Sequence, residues 1–309
     1  MFDLIVIGGG PTGLCAAMYA ARLELKTLLF GELMGGAVNF AHAVENYPGF
    51  ESIAGMELAE KLKSHAAKYK VEFKEERVNN LEQSGKFFKV HAGGAVYEAK
   101  SIIIATGGEV RKLGVPGEKE FDGKGVHYCV LCDGPLYQDK DVAIIGGSDA
   151  AAEEALLLAQ YAKKVYVIYR GDRMRAEESN CKKLRSNPKI KILANTNVSE
   201  IKGDKLVKSV TLDRDYEGMK QLNVNAVFIY IGRLPASQLA KGIGVKLNEK
   251  GEIITDKESN TNVPGVFAAG DVTNSSFKQI IIDAGDGVKA AYSAYRYVKE
   301  QSIQHVSEA

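Results

Sequence analysis

Short β-branched apolar runs that end on glycine, each followed by a stretch of helix formers, set the rhythm of this chain. The first spans residues 4–7 and stops at Gly8-Gly9-Gly10-Pro11-Thr12-Gly13, after which the Ala-rich residues 14–21 have helical composition. Strand, glycine turn and helix in that order is the setting in which a G-x-G-x-x-G, here Gly8, Gly10 and Gly13, marks a dinucleotide site. The glycines allow the tight turn, close approach of the backbone to a pyrophosphate and close helix packing, while the free N–H groups of the helix N-terminus face the phosphates. Residues 26–30 read as the second strand. The acid expected at its end to hold ribose hydroxyls is Glu32, displaced past Gly31, so that contact is left open.

The pattern continues through loop chemistry at Gly35-Gly36 and Asn46-Tyr47-Pro48-Gly49, an amphipathic helix over 52–69 and alternating strands over 71–96. Residues 101–108 predict a buried strand ending on Ala105, Thr106, Gly107 and Gly108, where a cofactor can come close to the backbone. Residues 111–122, with Pro116 and several glycines, predict a linker and a change of domain. At 141–151 the opening pattern repeats, strand into Gly146-Gly147-Ser148-Asp149-Ala150 and then helix to 161, so two nucleotide-binding lobes are expected. This second turn is the weaker copy, with Ser148 at the third position of its G-x-G-x-x-A. The lobe's second strand, 164–169, ends without a carboxylate and is followed by Arg170, Arg173 and Arg175. Arginines pair with a 2′-phosphate that an acid would repel, which favours NADPH over NADH. A solvated arginine loop and a vestigial glycine turn are the competing readings. Further on, 224–231 predicts a buried strand closing on Gly232, 248–255 a hairpin, and 279–300 a last helix with Ala284, Gly285 and Gly287 for close packing.

Composition narrows the function classes. Of 309 residues, 45% are hydrophobic and 26% charged, enough for a core in one large domain or two smaller ones. Forty basic against 39 acidic side chains leave a formal net charge of +1. No Lys/Arg run is long enough to act as a nucleic-acid arm, and no apolar run nears the roughly 20 residues of a membrane helix. The opening apolar stretch reaches Gly8 too soon for a secretory leader. The four cysteines, Cys15, Cys129, Cys132 and Cys181, have no framework spacing, so a reducing, cytoplasmic location is expected.

In such a compartment the chemistry turns on Cys129-Val130-Leu131-Cys132-Asp133-Gly134. Two thiols at this spacing can close into a small disulfide and open again, carrying two electrons. As a zinc half-site they would need two further ligands, and neither Cys15 nor Cys181 belongs to a second pair at ligand spacing; no metal is expected. An acid beside a thiolate can shuttle its proton. Cys15, on the buried face after the first glycine turn, reads as core packing, and Cys181 carries no sign of function. His127 reads as a packing or hydrogen-bonding residue ahead of a general base.

The first glycine turn, Val44-Glu45-Asn46-Tyr47-Pro48-Gly49, Ala105-Thr106-Gly107, the Cys-x-x-Cys-Asp-Gly, the second glycine turn and Gly265-Val266-Phe267-Ala268-Ala269-Gly270-Asp271-Val272 stand in a telling order. In order and spacing they resemble the low-molecular-weight thioredoxin reductases, over nearly the whole chain. The resemblance implies an α/β fold of two Rossmann-like three-layer dinucleotide-binding domains, the NAD(P)-binding one inserted into the FAD-binding one. Residues 1–112 and 244–309 would form the FAD domain, and 113–243 the NAD(P) domain carrying the redox pair. Gly8, Gly10, Pro11, Thr12, Gly13, Glu32, Gly36, Asn46, Ala105, Thr106, Gly107, Gly270, Asp271, Lys278, Gln279 and Ile280 would hold FAD. Of these, Asp271 would sit at the ribityl or phosphate region, with Lys278, Gln279 and Ile280 along the isoalloxazine. Gly146, Gly147, Ser148, Asp149, Ala150, Arg170, Arg173, Arg175, Ile231 and Gly232 would hold NADPH.

The resemblance further implies electron flow from NADPH to FAD, to the Cys pair, and on to the disulfide of thioredoxin or a thioredoxin-like protein. Cys132 would lie against the flavin, Cys129 would attack the partner's disulfide, and Asp133 would handle the proton. A homodimer is expected, as is rotation of the inserted lobe about linkers near 112–117 and 241–244. Three features depart from the family. Ala37 stands where a glutamine commonly reaches the flavin, and Ser148 replaces a phosphate-loop glycine. Tyr169-Arg170-Gly171-Asp172-Arg173-Met174-Arg175 keeps two of the three arginines of His-Arg-Arg-x-x-x-Arg, with Arg173 extra. NADH, a reduced ferredoxin or a deazaflavin therefore stay open as donors, and a flavin-binding redox sensor without turnover is the reading from a different class.

Overall fold

The buried apolar runs become the parallel centres of two sheets, because side chains enclosed on both faces must be apolar at consecutive positions. The chain divides into one unit of Met1–Glu109 with Leu234–Ala309 and a second, inserted unit of Val110–Arg233. The computed structural model describes residues 1–41 and 44–307. The chain crosses between units at Glu109/Val110 and Arg233/Leu234, not at the expected 112/113 and 243/244. Leu239, Ala240 and Ile243, on and after the short helix Gln238–Gly242, pack in the first unit's core with Val78 and Leu81.

In the first unit, seven strands form one sheet in the order Glu72–Lys74, Thr27–Phe30, Phe2–Ile7, Ala95–Ile104, Phe87–Ala92, Val78–Ser84, with Val266–Ala268 pairing beside residues 102–104. The strands from Glu72 to Ile104 in that order run parallel, and the remaining pairs from Ala95 outward are antiparallel. Alternate residues face opposite layers. Ile5, Ile7, Leu28 and Ile102 meet Phe88 and Val90, whereas Leu4, Val6, Leu29 and Ile103 meet the helices. Those helices are Pro11–Arg22 and the final helix, Ile280–Ser307, which is longer than the predicted 279–300. Ala290, Ala291, Ala294 and Val298 of the final helix share a core with Leu14, Ala17 and Ala20. Of the two glycines expected to pack closely, Gly287 does so, since a Cβ there would collide with the Thr12 carbonyl, while Gly285 borders open space.

Two smaller expectations are corrected. The helix predicted over 52–69 is Gly55–Ala67, because Ile53 is held in an antiparallel bridge with Val44. The hairpin over 248–255 reduces to one bridge, Leu247 to Ile253, closed by the Asn248 N–H on the Glu252 carbonyl.

The second unit is built on a five-stranded parallel sheet, Ile190–Leu193, Lys164–Ile168, Asp141–Ile145, Ala226–Ile229, Val126–His127. Helices Asp149–Tyr161 and Glu178–Ser186 bury Ala152, Ala155, Leu158 and Leu184 against Val142, Ile144, Val165 and Val167. The opposite layer is a three-stranded antiparallel sheet, Val198–Gly203, Val207–Tyr216 and Met219–Asn223, whose Val210, Leu212 and Leu222 cover Ala143, Ile145 and Ile168. Each unit is thus a three-layer, Rossmann-like lobe.

Candidate functional site

Three stretches far apart in sequence meet at the first glycine turn. A Cβ on Gly8, at φ +126°, would collide with the Ala105 carbonyl; one on Gly13 would collide with the Gly8 carbonyl; one on Gly270 would collide with the Thr12 hydroxyl. Neighbouring glycines nest in the same way: a Cβ on Gly31 would lie 2.6 Å from the Gly9 Cα, and one on Gly36 3.0 Å from the Gly10 Cα. At Gly10 and Gly107, by contrast, a Cβ would meet nothing within 4 Å, so there the backbone borders open space. The helix that follows is capped by Gly10 without a side-chain hydrogen bond, has Pro11 in its first turn and carries no acid there. Its positive end is left for an anion.

Around this cradle, Asn46 Nδ2 donates to Gln279 Oε1 at 3.0 Å across 233 positions of sequence. Lys278 Nζ donates to Glu252 Oε1 at 2.6 Å and to the Asp271 carbonyl at 2.9 Å. Burial raises the Glu252 pKa, but the hydrogen bonds from Lys278 and Asn248 outweigh it and hold the carboxyl below its ordinary range. Asp283, one turn into the final helix, is pushed up to about 8, first by burial and then by the neighbouring Asp271 carboxylate. Thr106 Oγ1 donates to the Ala236 carbonyl at 2.7 Å, and Ile280 opens the final helix. Glu32 is exposed and faces Arg77 at 3.8 Å.

The second turn repeats the first with more of its groups engaged. A Cβ on Gly146, at φ +156°, would collide with the Tyr230 carbonyl, and one on Gly147 would lie 3.1 Å from the Tyr169 Cβ. Ser148 caps the helix Asp149–Tyr161, its Oγ accepting the Ala151 N–H at 3.4 Å. The Asp149 carboxylate accepts the Glu177 N–H at 2.9 Å and Asn180 Nδ2 at 3.0 Å, so it ties the next helix to the turn. The arginine loop lies against the glycines, with the Arg175 N–H donating to the Gly147 carbonyl at 2.6 Å. Arg170, Arg173 and Arg175 are exposed, and among the described residues none is held in an ion pair. Ala150 is exposed, Ile231 half-buried, and Gly232 lies at φ +97°.

Cys129 and Cys132 are joined in a disulfide, their Cα atoms 5.3 Å apart. Cys129 caps the single-turn helix Val130–Asp133, and the Cys132 N–H donates to its Sγ at 3.1 Å, so negative charge developing on Cys129 already faces a donor. The Val130 N–H donates to the Tyr230 hydroxyl at 2.9 Å. Beside that hydroxyl lies Glu154, whose Oε2 is buried without a partner. Burial first, and Glu153 second, push Glu154 up to about 8 against the pull of Tyr230. On the other side of the turn, Asp133 Oδ2 lies 3.0 Å from Nδ1 of the buried His127, whose Nε2 meets the Tyr137 hydroxyl at 2.7 Å. Burial holds His127 below its ordinary pKa despite Asp133, so the two meet as a hydrogen bond from a neutral ring. Cys15 and Cys181 are both buried, and burial pushes the Cys15 thiol up to about 11.

A family model for pyridine nucleotide-disulphide oxidoreductases matches residues 2–297. The chain belongs to this family. Among its relatives, the thioredoxin reductase of Listeria innocua is 41% identical over 304 residues, 97% of this chain and 95% of that one. The crystal structure of Lactococcus lactis thioredoxin reductase in its FR conformation superposes with a TM-score of 0.94 at 39% identity, covering 97% of this chain and all of that one. That of T. acidophilum thioredoxin reductase gives 0.91 at 38% identity, over 96% and 98%.

For a pyridine nucleotide-disulphide oxidoreductase, the family implies FAD and a nicotinamide nucleotide. The first cradle suits a flavin dinucleotide, given its open borders at Gly10 and Gly107 and its uncapped helix. The second suits a nucleotide at its glycine turn. Among the described residues no helix is long and apolar enough to cross a membrane, and no group of three or more ligating side chains could hold a metal. Tyr137, Tyr230 and Glu154 were not foreseen. The signal for Glu154 lay in its place one turn from Ala151 and Leu158, a carboxylate on a helix's apolar stripe.

Proposed function

We propose that this chain is a thioredoxin-disulfide reductase using FAD and NADPH, with Cys129 and Cys132 as its redox-active pair. One observation carries the reading: a Cys129–Cys132 disulfide, with Cys132 exposed and Asp133 directly behind it, in a chain alike over 97% of its length to thioredoxin reductases. When bound, FAD and the nicotinamide supply the hydride and electron pair that open the disulfide.

This chain's own residues do the rest. Gly8, Gly10, Pro11, Thr12 and Gly13 would hold the flavin pyrophosphate at the helix end, with Gly36, Ala105, Thr106, Gly107, Gly270 and Asp271 around it. Glu32, exposed beside Arg77, would be the acid nearest a ribose, while Asn46, Gln279, Lys278 and Ile280 would border the ring. In the dithiol, a Cys129 thiolate stabilised by the Cys132 N–H attacks one sulfur of the partner's disulfide, and the other sulfur leaves with the electron pair. Cys132 then attacks Cys129 Sγ, re-forms the internal disulfide and releases the partner's second thiolate. The partner gains two electrons and two protons, the pair loses them, and Asp133 moves the proton at the cysteines.

Gly146, Gly147, Ser148, Asp149, Ala150, Ile231 and Gly232 shape the nicotinamide site. Arg170, Arg173 and Arg175 supply exposed cations with no acid at the strand end, which supports NADPH. Gly171 favours a second donor reading, NADH, a reduced ferredoxin or a deazaflavin, because it removes one arginine from that cluster. A homodimeric, cytoplasmic protein belongs to the same reading. The test is an anaerobic titration in which NADPH, NADH and other donors are added in turn while flavin absorbance is followed, and thioredoxin disulfide is then supplied. Rapid bleaching by NADPH followed by thioredoxin reduction is expected. Bleaching by another donor alone would transfer the proposal to that donor, and reduced protein that never reduces thioredoxin would overturn it.

A further inference from the structure

The reaction above needs Asp133 but says nothing of what holds it. His127 ends the edge strand Val126–His127, is 6% exposed, and stacks on Phe228 of the neighbouring strand at 5.3 Å and 29°. A histidine enclosed in this way has its ring plane set by packing rather than by solvent. Its two nitrogens are both engaged, Nδ1 with Asp133 Oδ2 at 3.0 Å and Nε2 with the Tyr137 hydroxyl at 2.7 Å. An ionised Asp133 accepts only, so Nδ1 carries the proton, Nε2 is the acceptor, and Tyr137 donates to it. The chain of bonds therefore runs one way, from Tyr137 through His127 to Asp133, and each member fixes the next.

We propose that His127 is the positioning residue of the thiol chemistry. It binds Asp133 Oδ2, with Tyr137 behind it, and leaves Oδ1 as the oxygen that exchanges protons with the cysteine pair. This rests on the reductase reading, in which Asp133 is the group that moves that proton. The charged and titratable groups around the ring are Asp133 and Tyr137 in contact and Asp122 further off, while Phe228 covers its face. Burial keeps the imidazole neutral against both carboxylates. A positively charged imidazole would instead hold Asp133 as a fixed ion pair and take it out of proton exchange.

The experiment uses DTT-reduced, desalted holoenzyme and 5,5′-dithiobis(2-nitrobenzoate) as the probe disulfide, by stopped flow from pH 5 to 9. Asp133 takes the thiol proton, the Cys129 thiolate displaces one thionitrobenzoate with its electron pair, and Cys132 displaces the second to re-form the disulfide. Cys15 and Cys181 are buried and do not contribute to the fast phase. His127→Phe should slow that phase about tenfold at neutral pH and change its pH profile, the scale of a partly lost proton transfer. His127→Asn, which keeps a donor near the Nδ1 position, should recover most of the rate. His127→Phe combined with Asp133→Asn should be no slower than Asp133→Asn alone. A wild-type pH profile in His127→Phe, or effects of the two substitutions that add, would overturn the proposal. If His127→Phe fails to fold, Tyr137→Phe decides, since an unshifted pH profile there refutes the chain of bonds. Failure of the wild type to reduce thioredoxin would sink the reductase reading and leave the probe comparison to decide the role of His127.

Discussion

Glu154→Gln should gain stability relative to the wild type as pH rises from 5 to 9. Glu154 lies on the inner side of the helix Asp149–Tyr161, its Oε2 buried without a partner and its pKa pushed from 4.5 to about 8, chiefly by burial. The fold binds this proton more tightly than the unfolded chain does. The group's contribution is therefore intact below about pH 4.5 and is lost as pH rises through about 8. At about 1.4 kcal/mol per pKa unit, the loss approaches 5 kcal/mol as an upper bound. Glutamine keeps an oxygen for the Tyr230 hydroxyl and cannot ionise, and any cost of its extra N–H is independent of pH. The assay is the difference in melting temperature between variant and wild type at pH 5, 7 and 9. With about 2–4 °C per kcal/mol in a chain of this size, the difference should grow by several degrees, up to about 10 °C, from pH 5 to pH 9. A difference that stays constant across the three pH values would refute the argument that a buried, ionising Glu154 sets it.

Other outcomes follow from the two cradles. Gly13→Ala drives a methyl into the Gly8 carbonyl, so it should cost about 1–3 kcal/mol and lose flavin, read as melting temperature and the flavin-to-protein absorbance ratio. Gly10→Ala meets no protein atom; it should keep the apoprotein's melting temperature and still weaken FAD retention, and equal retention would contradict the placement of the phosphates. Gly171 lies outside the left-handed region, and a Cβ there would come no closer than 3.5 Å to any neighbour. Gly171→Arg should therefore lower the KM for NADPH about tenfold relative to NADH, the scale of one charge-assisted hydrogen bond. Ser148→Ala removes a helix cap and should cost about 1 kcal/mol of stability while changing the KM for NADPH less than about twofold.

The central strands of both parallel sheets were legible because they are continuous apolar runs punctuated by glycine, the strongest local signal a chain carries, whereas the short edge strands Val126–His127 and Ile190–Leu193 were not foreseen. The antiparallel layer over 198–223 was not, since its half-exposed strands alternate apolar with charged residues and its hairpin turns carry little Pro or Asn-Gly chemistry. Features that follow from sequence neighbours, such as the glycine turn into a helix at Gly8 to Gly13 and the pairing of Cys129 with Cys132, were foreseen. Those that come from distant contacts were not. Glu252 beneath Lys278, Asp283 beside Asp271, and Tyr230 under Val130 are all brought together by topology rather than spacing. Ser148 shows the converse: by pattern it reads as a damaged phosphate loop, and in the fold it is a helix cap.

The central claim, that electrons leave through the Cys129–Cys132 pair, is tested most directly by thioredoxin-disulfide reduction in Cys129→Ser and Cys132→Ser holoenzymes assayed beside the wild type. Both variants should retain FAD and donor-driven bleaching and lose turnover. Turnover preserved in either one would contradict the account.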